Sequence, residues 1–208
     1  MYLISNEFTV GPARFSDYMA WSSKVSDWLK KQKGFMRRTL ATSYSYPSKY
    51  LGGWRFESRE AALAALTGPA WADFQRANPT DGVLTLTRPT EAYEEVFSTG
   101  DRSPSYKFLM ASEWFLDPGK ATTFENSRKE FFALRQKQAG TGFAVLWRLM
   151  GSPFKYVAAN FFPDLDSGRA SIASPAVAEY LRAHPYTEYA SVRPVIDSWE
   201  VLRLDMQA

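Results

Sequence analysis

The sequence predicts an α+β protein made of two β-α-β-β-α-β repeats, and an internal duplication is the first observation behind this prediction. Residues 68–79 read Gly-Pro-Ala-Trp-Ala-Asp-Phe-Gln-Arg-Ala-Asn-Pro, and residues 174–185 read Ser-Pro-Ala-Val-Ala-Glu-Tyr-Leu-Arg-Ala-His-Pro. The two segments align without a gap at an offset of 106 residues. Because similarity at a fixed interval indicates a repeated structural unit, we expect two halves of the same architecture.

Hydrophobic periodicity, the second observation, places the elements of the first half. Tyr2, Ile4, Phe8 and Val10 alternate with polar residues, which is typical of a half-buried strand over residues 2–10. Helical spacing, Gly and Pro breaks and an Ala-rich run predict the rest. These elements are a helix over 14–33, strands over 35–44 and 49–57, a helix over 59–66 with Ser58 as N-cap, a short helix from 69 and a strand over 88–97.

The second half predicts the same order of elements. They are a strand over 108–116, a helix over 120–139, strands over 143–150 and 154–162, a helix from about 167, the second copy of the repeated motif and a strand over 193–204. Residues 98–105 have the composition of a linker. The predicted domains are therefore residues 1–99 and residues 106–208.

Each half corresponds to a ferredoxin-like unit, in which helices cover one face of a sheet. The other face must be buried, and the second half is the obvious partner. We therefore expect the two ferredoxin-like repeats to form one intramolecular dimeric α/β-barrel.

Composition narrows the possible partners and chemistries. Apolar residues make up 45% of the 208 residues and aromatic residues 16%, which suffices for a packed core. The net charge is +3, and the densest basic segment, residues 30–33, falls at a predicted helix end, where cations suit the helix dipole. The absence of Cys and the single His exclude thiolate chemistry and multi-His metal centres. With no signal peptide and no segment of membrane length, we expect a cytoplasmic protein without nucleic-acid or membrane partners.

Two motifs carry a resemblance to a known family. Trp54-Arg55-Phe56-Glu57-Ser58 precedes the Ala-rich helix, and the Gly-Pro-Ala…Arg-Ala-Asn-Pro run follows it. Together with the order of elements, they resemble the antibiotic biosynthesis monooxygenase family. The resemblance implies a tandem version of that family's barrel, as a monomeric pseudo-dimer or a homodimer.

The resemblance leaves two chemistries open. One branch of the family forms quinones in aromatic polyketide pathways and uses O₂ without metal, flavin or haem. The other degrades haem, with a His on the second helix region as iron ligand and an Asn on the first strand. At the aligned position this sequence has Phe74 in the first half and Tyr180 in the second. Phe cannot ligate iron, whereas Tyr can hold ferric haem. Haem is therefore the alternative to having no cofactor.

Asn6 is the most informative single residue, because it interrupts the apolar face of the first strand. Its amide either bonds to neighbouring backbone or points into an apolar pocket, and the resemblance supports the second interpretation. Ser112 interrupts the same face in the second half. His184 could act as a general base, but its place before Pro185 favours a helix exit.

The remaining candidates are aromatic or can stabilise an anion. Flat polycyclic ligands bind in aromatic-lined clefts, which makes Trp54, Trp71 and Phe74 candidates for substrate binding. We expect Asn6 to bond a substrate oxygen and Tyr50 or Arg55 to stabilise the anion. The corresponding substrate-binding set of the second half is Ser112, Tyr156, Asn160 and Tyr180.

The sequence thus favours a cofactor-independent monooxygenase that oxidises a small, aromatic, polyketide-like substrate with O₂. One alternative is a haem-binding or haem-degrading protein that uses Tyr180 or His184. Another is a non-catalytic barrel that binds a small molecule, since a duplicated chain can lose one or both sites.

Overall fold

The computed structural model describes residues 1–102, 106–138 and 140–206, with side chains through Leu202. The first half contains β1 (Tyr2–Thr9), a 3₁₀ turn (Pro12–Arg14), α1 (Phe15–Leu29), β2 (Phe35–Ser43), β3 (Lys49–Phe56), α2 (Arg59–Thr67), α3 (Pro69–Ala77), β4 (Thr85–Leu86) and β5 (Glu91–Gly100). The second half contains β6 (Phe108–Phe115), α4 (Ala121–Gln136), β7 (Phe143–Leu149), β8 (Lys155–Phe162), α5 (Leu165–Ala173), α6 (Pro175–Ala183), a 3₁₀ turn (Tyr186–Glu188) and β9 (Val195–Met206).

The chain divides into two compact units whose boundaries fall within strands. The first unit comprises Met1–Glu94 and Leu202–Ala208, and the second comprises Glu95–Val201. Residues 98–100, expected in the linker, instead continue β5. The rest of that predicted linker lies partly outside the described residues, at 103–105.

Within each unit the strands are antiparallel in the ferredoxin-like order. The first unit has the order β5-β1-β3-β2, with the short β4 also paired to β1. The second has the order β9-β6-β8-β7. The register repeats at the same offset, because Tyr2 pairs with Phe56 and Phe108 with Phe162. The predicted fold class, α+β with two ferredoxin-like repeats, is confirmed.

Local signals explain where the helices begin and end. The Ser58 hydroxyl accepts a hydrogen bond from the Ala61 amide at 3.1 Å, which confirms the predicted N-cap of α2. Helix α1 ends at Leu29, before the predicted residue 33, because the amides of Lys31 and Gln32 bond to carbonyls three residues back. Gly34, with φ of 72°, then turns the chain into β2.

The helix-covered face of the first sheet has a polar interruption. One apolar cluster contains Ile4 and Trp54, and the other contains Phe8 and Tyr50. Asn6 lies between Ile4 and Phe8 on the same strand face, since successive side chains alternate. In the second unit, one cluster contains both Trp114 and Tyr156 and extends to the helices α4 and α6.

Candidate functional site

Asn6 lies in the centre of the helix-covered face of the first unit. It pairs with Gly52 on β3, so the two residues share that face. Among the described residues, no group forms a hydrogen bond with the half-buried Asn6 amide. A half-buried amide without a partner in the described protein is a candidate hydrogen-bonding group for a ligand.

Tyr50 and Trp54 flank Gly52 along β3 and lie diagonally opposite Asn6. Tyr50 pairs with Phe8, and Trp54 pairs with Ile4. Diagonal neighbours in a sheet are about 7–8 Å apart, within reach of aromatic side chains. Burial raises the pKa of Tyr50, although a hydrogen bond with Thr42 acts in the opposite direction. Like an ordinary tyrosine, Tyr50 is protonated at neutral pH and can donate a hydrogen bond.

An aromatic cluster, consisting of Trp28, Trp54, Trp71 and Phe74, extends from this position onto α1 and α3. Ring centroids lie 5.1 Å apart for Trp54 and Trp71, 5.0 Å for Trp28 and Trp71, and 5.3 Å for the stacked Trp71 and Phe74. Trp54 is buried, whereas the other three rings are half-buried. The cluster therefore presents flat apolar surface next to Asn6. The structure brings together Asn6, Tyr50, Trp54, Trp71 and Phe74.

Arg55 lies apart from this group. It pairs with Leu3 on one side and Arg37 on the other, and it alternates with Trp54 along β3. Its side chain is 5% exposed and points to the face of the sheet opposite Asn6. The structure thus does not bring Arg55 together with Asn6 and Tyr50.

Arg38 is a buried cation on the Asn6 face that sequence reasoning missed. Its Nη1 donates to the Ser22 carbonyl and the Ser26 hydroxyl, both at 2.6 Å, and its Nη2 donates to the Ser22 hydroxyl at 2.7 Å. Burial raises the pKa of neighbouring Tyr18 to about 12, although the Arg38 charge acts in the opposite direction. Even-numbered positions on β2 could have indicated the face, but nothing in the sequence marked its serine partners.

Ser112, the counterpart of Asn6, has hydrogen-bond partners. Its hydroxyl accepts from the Trp114 indole N–H at 2.8 Å and donates to the Ala158 carbonyl at 3.5 Å. Tyr156 donates to Glu125 at 2.8 Å, and burial followed by this bond raises its pKa to about 12. Both residues lie on the helix-covered face, as predicted for Ser112.

Asn160 is also on that face, at the position that Trp54 occupies in the first unit. It is 5% exposed, and its Oδ1 has no hydrogen-bond partner in the part of the chain that the structure describes. The buried Val177 stands at the Trp71 position. The second unit therefore lacks most of the aromatic cluster.

Tyr180 and His184 do not fit the role of haem ligand. The Tyr180 hydroxyl donates to the Ser127 carbonyl at 2.7 Å and lies 2.9 Å from the Ser127 hydroxyl. His184 caps the end of α6, stacks on Tyr180 at 4.4 Å and places Nδ1 3.6 Å from Glu188. The predicted helix exit of His184 is confirmed. Neither side chain presents a ligand atom to an open apolar site, and Phe74 has none.

In the described residues, no group of three or more His, Cys, Asp or Glu residues is arranged to hold a metal ion. No helix in that part is long and apolar enough to cross a membrane. An open cleft of about 370 Å³ lies where α1 ends and α2 begins, lined by Lys33, Glu57 and Ala61 among others. None of the predicted site residues lines it.

Comparisons with known proteins support the fold. No protein-family model and no curated protein matches the chain. A proposed monooxygenase from Fusobacterium nucleatum has a similar structure, with a TM-score of 0.78 at 13% identity over 100% of this chain and 94% of that one. An anthrone oxidase-like protein has a similar structure, with a TM-score of 0.72 at 10% identity over 100% of this chain and 93% of that one.

A third structure connects the fold to the resemblance read from the sequence. A ferredoxin-fold protein from Listeria monocytogenes, related to antibiotic biosynthesis monooxygenases, gives a TM-score of 0.56 at 12% identity over 97% of this chain and 95% of that one. At such identities the likeness concerns the fold. Over its full length, this chain has the fold of monooxygenase-like proteins.

Proposed function

We propose that the chain is a cofactor-independent monooxygenase and that its active site is the helix-covered face of the first unit. The observation that carries the proposal is the Asn6 amide, which is free of hydrogen bonds among the described residues and lies beside Tyr50 and the aromatic cluster. The anthrone oxidase-like and monooxygenase-related structures that share the fold support the reaction class.

The substrate class is a flat, electron-rich ring system with a phenol and an activated CH₂ group. The aromatic cluster binds the rings, and the Asn6 N–H and Tyr50 O–H donate hydrogen bonds to a ring oxygen. The CH₂ group loses a proton to solvent, which leaves an anion that spreads onto this oxygen; the peroxide formed later takes up one proton from solvent. Donors already directed at the developing charge stabilise it without reorganisation.

The anion then reacts with O₂ directly. It transfers one electron to O₂, and the resulting radical pair combines at the same carbon to give a hydroperoxide. Loss of water from the hydroperoxide forms the quinone carbonyl. Overall, CH₂ and O₂ give C=O and H₂O, so no external reductant is required. The apolar rings exclude water from the anion while it reacts.

The test is oxygen uptake with a panel of anthrones and naphthols. We expect uptake by the wild type, and a loss of about 100-fold in kcat for Asn6→Ala, which is typical for removal of one oxyanion donor. Thermal unfolding of the variant should match the wild type. No uptake with any substrate would favour a non-catalytic binding protein, and a Soret shift on adding haemin would favour the haem-binding alternative.

A further inference from the structure

Gly52 lies directly across from Asn6, where any other residue would collide with the amide. A Cβ on Gly52 would come within 3.0 Å of Asn6 Oδ1, closer than real Cβ contacts, whereas its contact with Phe8 Cε1 would be an ordinary 3.6 Å. The φ angle of Gly52 is not positive. The backbone conformation therefore does not require glycine at this position. Glycine is required because the Asn6 amide occupies the space that a Cβ would need.

The second unit contains the same cross-strand pair in a different form. Ser112 pairs with Ala158 in the register in which Asn6 pairs with Gly52. Where the side chain on the first strand is short, its partner has a Cβ. The Ser112 hydroxyl bonds to Trp114 and to the Ala158 carbonyl, so it remains close to its own strand pair.

We infer that Gly52 is a positioning residue: its missing Cβ lets the Asn6 amide lie across β3 between Tyr50 and Trp54, where it meets the substrate oxygen. The identity of that oxygen rests on the proposed function, whereas the position of the amide does not. Asn6–Gly52 and Ser112–Ala158 are then two matched pairs, of which only the first extends an amide into the site.

Gly52→Ala should displace the amide without unfolding the protein. The colliding atom is the end of a side chain, which can rotate away, and Gly→Ala at a compatible backbone position reduces the entropy of the unfolded chain. Gly53→Ala is the matched control. Its Cβ would lie 3.3 Å from Leu3 Cδ1 and 3.9 Å from Thr39 Cβ, on the opposite face of the sheet.

The first measurement is the ¹H–¹⁵N spectrum of the side-chain amides. The Asn6 signals are assigned by their disappearance in Asn6→Ser. We expect Gly52→Ala to shift these signals, and to lower kcat/KM for an anthrone at least ten-fold, mainly through kcat. Gly53→Ala should change neither. If Gly52→Ala leaves the Asn6 signals where Gly53→Ala leaves them, the inference is wrong.

The double variant Asn6→Ser/Gly52→Ala copies the pair of the second unit. If Gly52 acts only through Asn6, the kcat/KM of the double variant should equal that of Asn6→Ser within two-fold. If the two residues had independent roles, the double variant should lose a further ten-fold in kcat/KM. A further loss of that size would overturn the inference. Absence of oxygen uptake by the wild type would count against the proposed function alone, since the amide signals still decide the positioning.

Discussion

Both units bury an arginine between helix and sheet, but the side chain comes from opposite elements. In the first unit Arg38 extends from β2 to Ser22 on α1. At the corresponding positions the second unit has Ala144 on β7 and Arg128 on α4. Both arginines are 3% exposed. The same space in the fold can thus hold a guanidinium supplied by either the strand or the helix.

The surroundings of the two cations differ. Arg38 donates three hydrogen bonds to serine groups. Arg128 donates one, to the Ser127 hydroxyl at 3.3 Å, and its Cζ lies 4.9 Å from the centroid of Phe131 and 5.0 Å from that of Trp114. Burial lowers the pKa of Arg128. Aromatic rings surround the cation of the second unit, and serine groups surround that of the first.

Each unit also has an amide without a full set of partners among the described residues: Asn6, half-buried, in the first and Asn160, 5% exposed, in the second. The proposed site uses the half-buried amide of the first unit, beside the aromatic cluster that the second unit mostly lacks.

The largest expected effect comes from replacing each arginine with methionine. Arg38→Met removes three hydrogen bonds from a charged donor and leaves Ser22 and Ser26, each 0% exposed, without them. We expect a loss of about 2–4 kcal/mol in the free energy of unfolding. Arg128→Met should stay within about 1 kcal/mol of wild type, because an apolar side chain replaces a buried charge among rings. Urea denaturation measures both, and equal losses would remove the distinction between the two sites.

The next largest effect is on the free energy of unfolding at alkaline pH. It arises from Tyr18, whose counterpart in the second unit is Phe124. Tyr18 has a pKa of about 12 in the folded protein, against about 10 when unfolded. The stability from the neutral phenol is fully present below pH 10. It falls by about 1.4 kcal/mol per pH unit between pH 10 and 12, because only the unfolded chain loses the proton.

Tyr18→Phe makes this position equal to the second unit and should remove that slope. Urea denaturation from pH 8 to 11.5 measures the stability of the wild type and of Tyr18→Phe. Tyr156, whose pKa is also raised, is present in both proteins and therefore cancels in the comparison. Parallel stability curves above pH 10 would show that the Tyr18 phenol is not protected from ionisation.

The smallest effect is expected for Ser112→Ala, the counterpart of Asn6→Ala. Ser112 accepts the Trp114 indole bond, so its loss should lower stability by about 1 kcal/mol. Turnover should remain within two-fold of wild type, because the proposed site lies in the first unit. A loss as large as that of Asn6→Ala would place catalysis in both units.

Much of the fold could be predicted because duplication and periodicity act over many residues. The register of Asn6 relative to Ile4 and Phe8 follows from strict alternation, and the Ser58 cap follows from a short local motif. Both signals are contained in a few neighbouring residues. The predicted ends of α1 and β5 were less accurate, because turn geometry rather than the hydrophobic pattern determines where these elements end.

The chemistry of the site was harder to predict, because it depends on pairs far apart in the chain. The burial of Arg38 depends on hydrogen bonds to Ser22 and Ser26, which lie on another element of the chain. The need for glycine at position 52 comes from the Asn6 amide, which is distant in the sequence but lies directly across from it in the sheet. Asn6 itself could be identified, since it breaks an apolar stripe within a single strand.

The division of β5 and β9 between the units has a consequence for synthesis of the chain. The first unit includes residues from Leu202 onward as well as the N-terminal 94. While the ribosome is still making the second half, the first unit lacks the residues that complete it. Domains usually fold in order from the N-terminus, but we expect the N-terminal unit here to be completed only when the C-terminal residues have been made. An early stop late in the message would thus remove residues of the first unit as well as of the second.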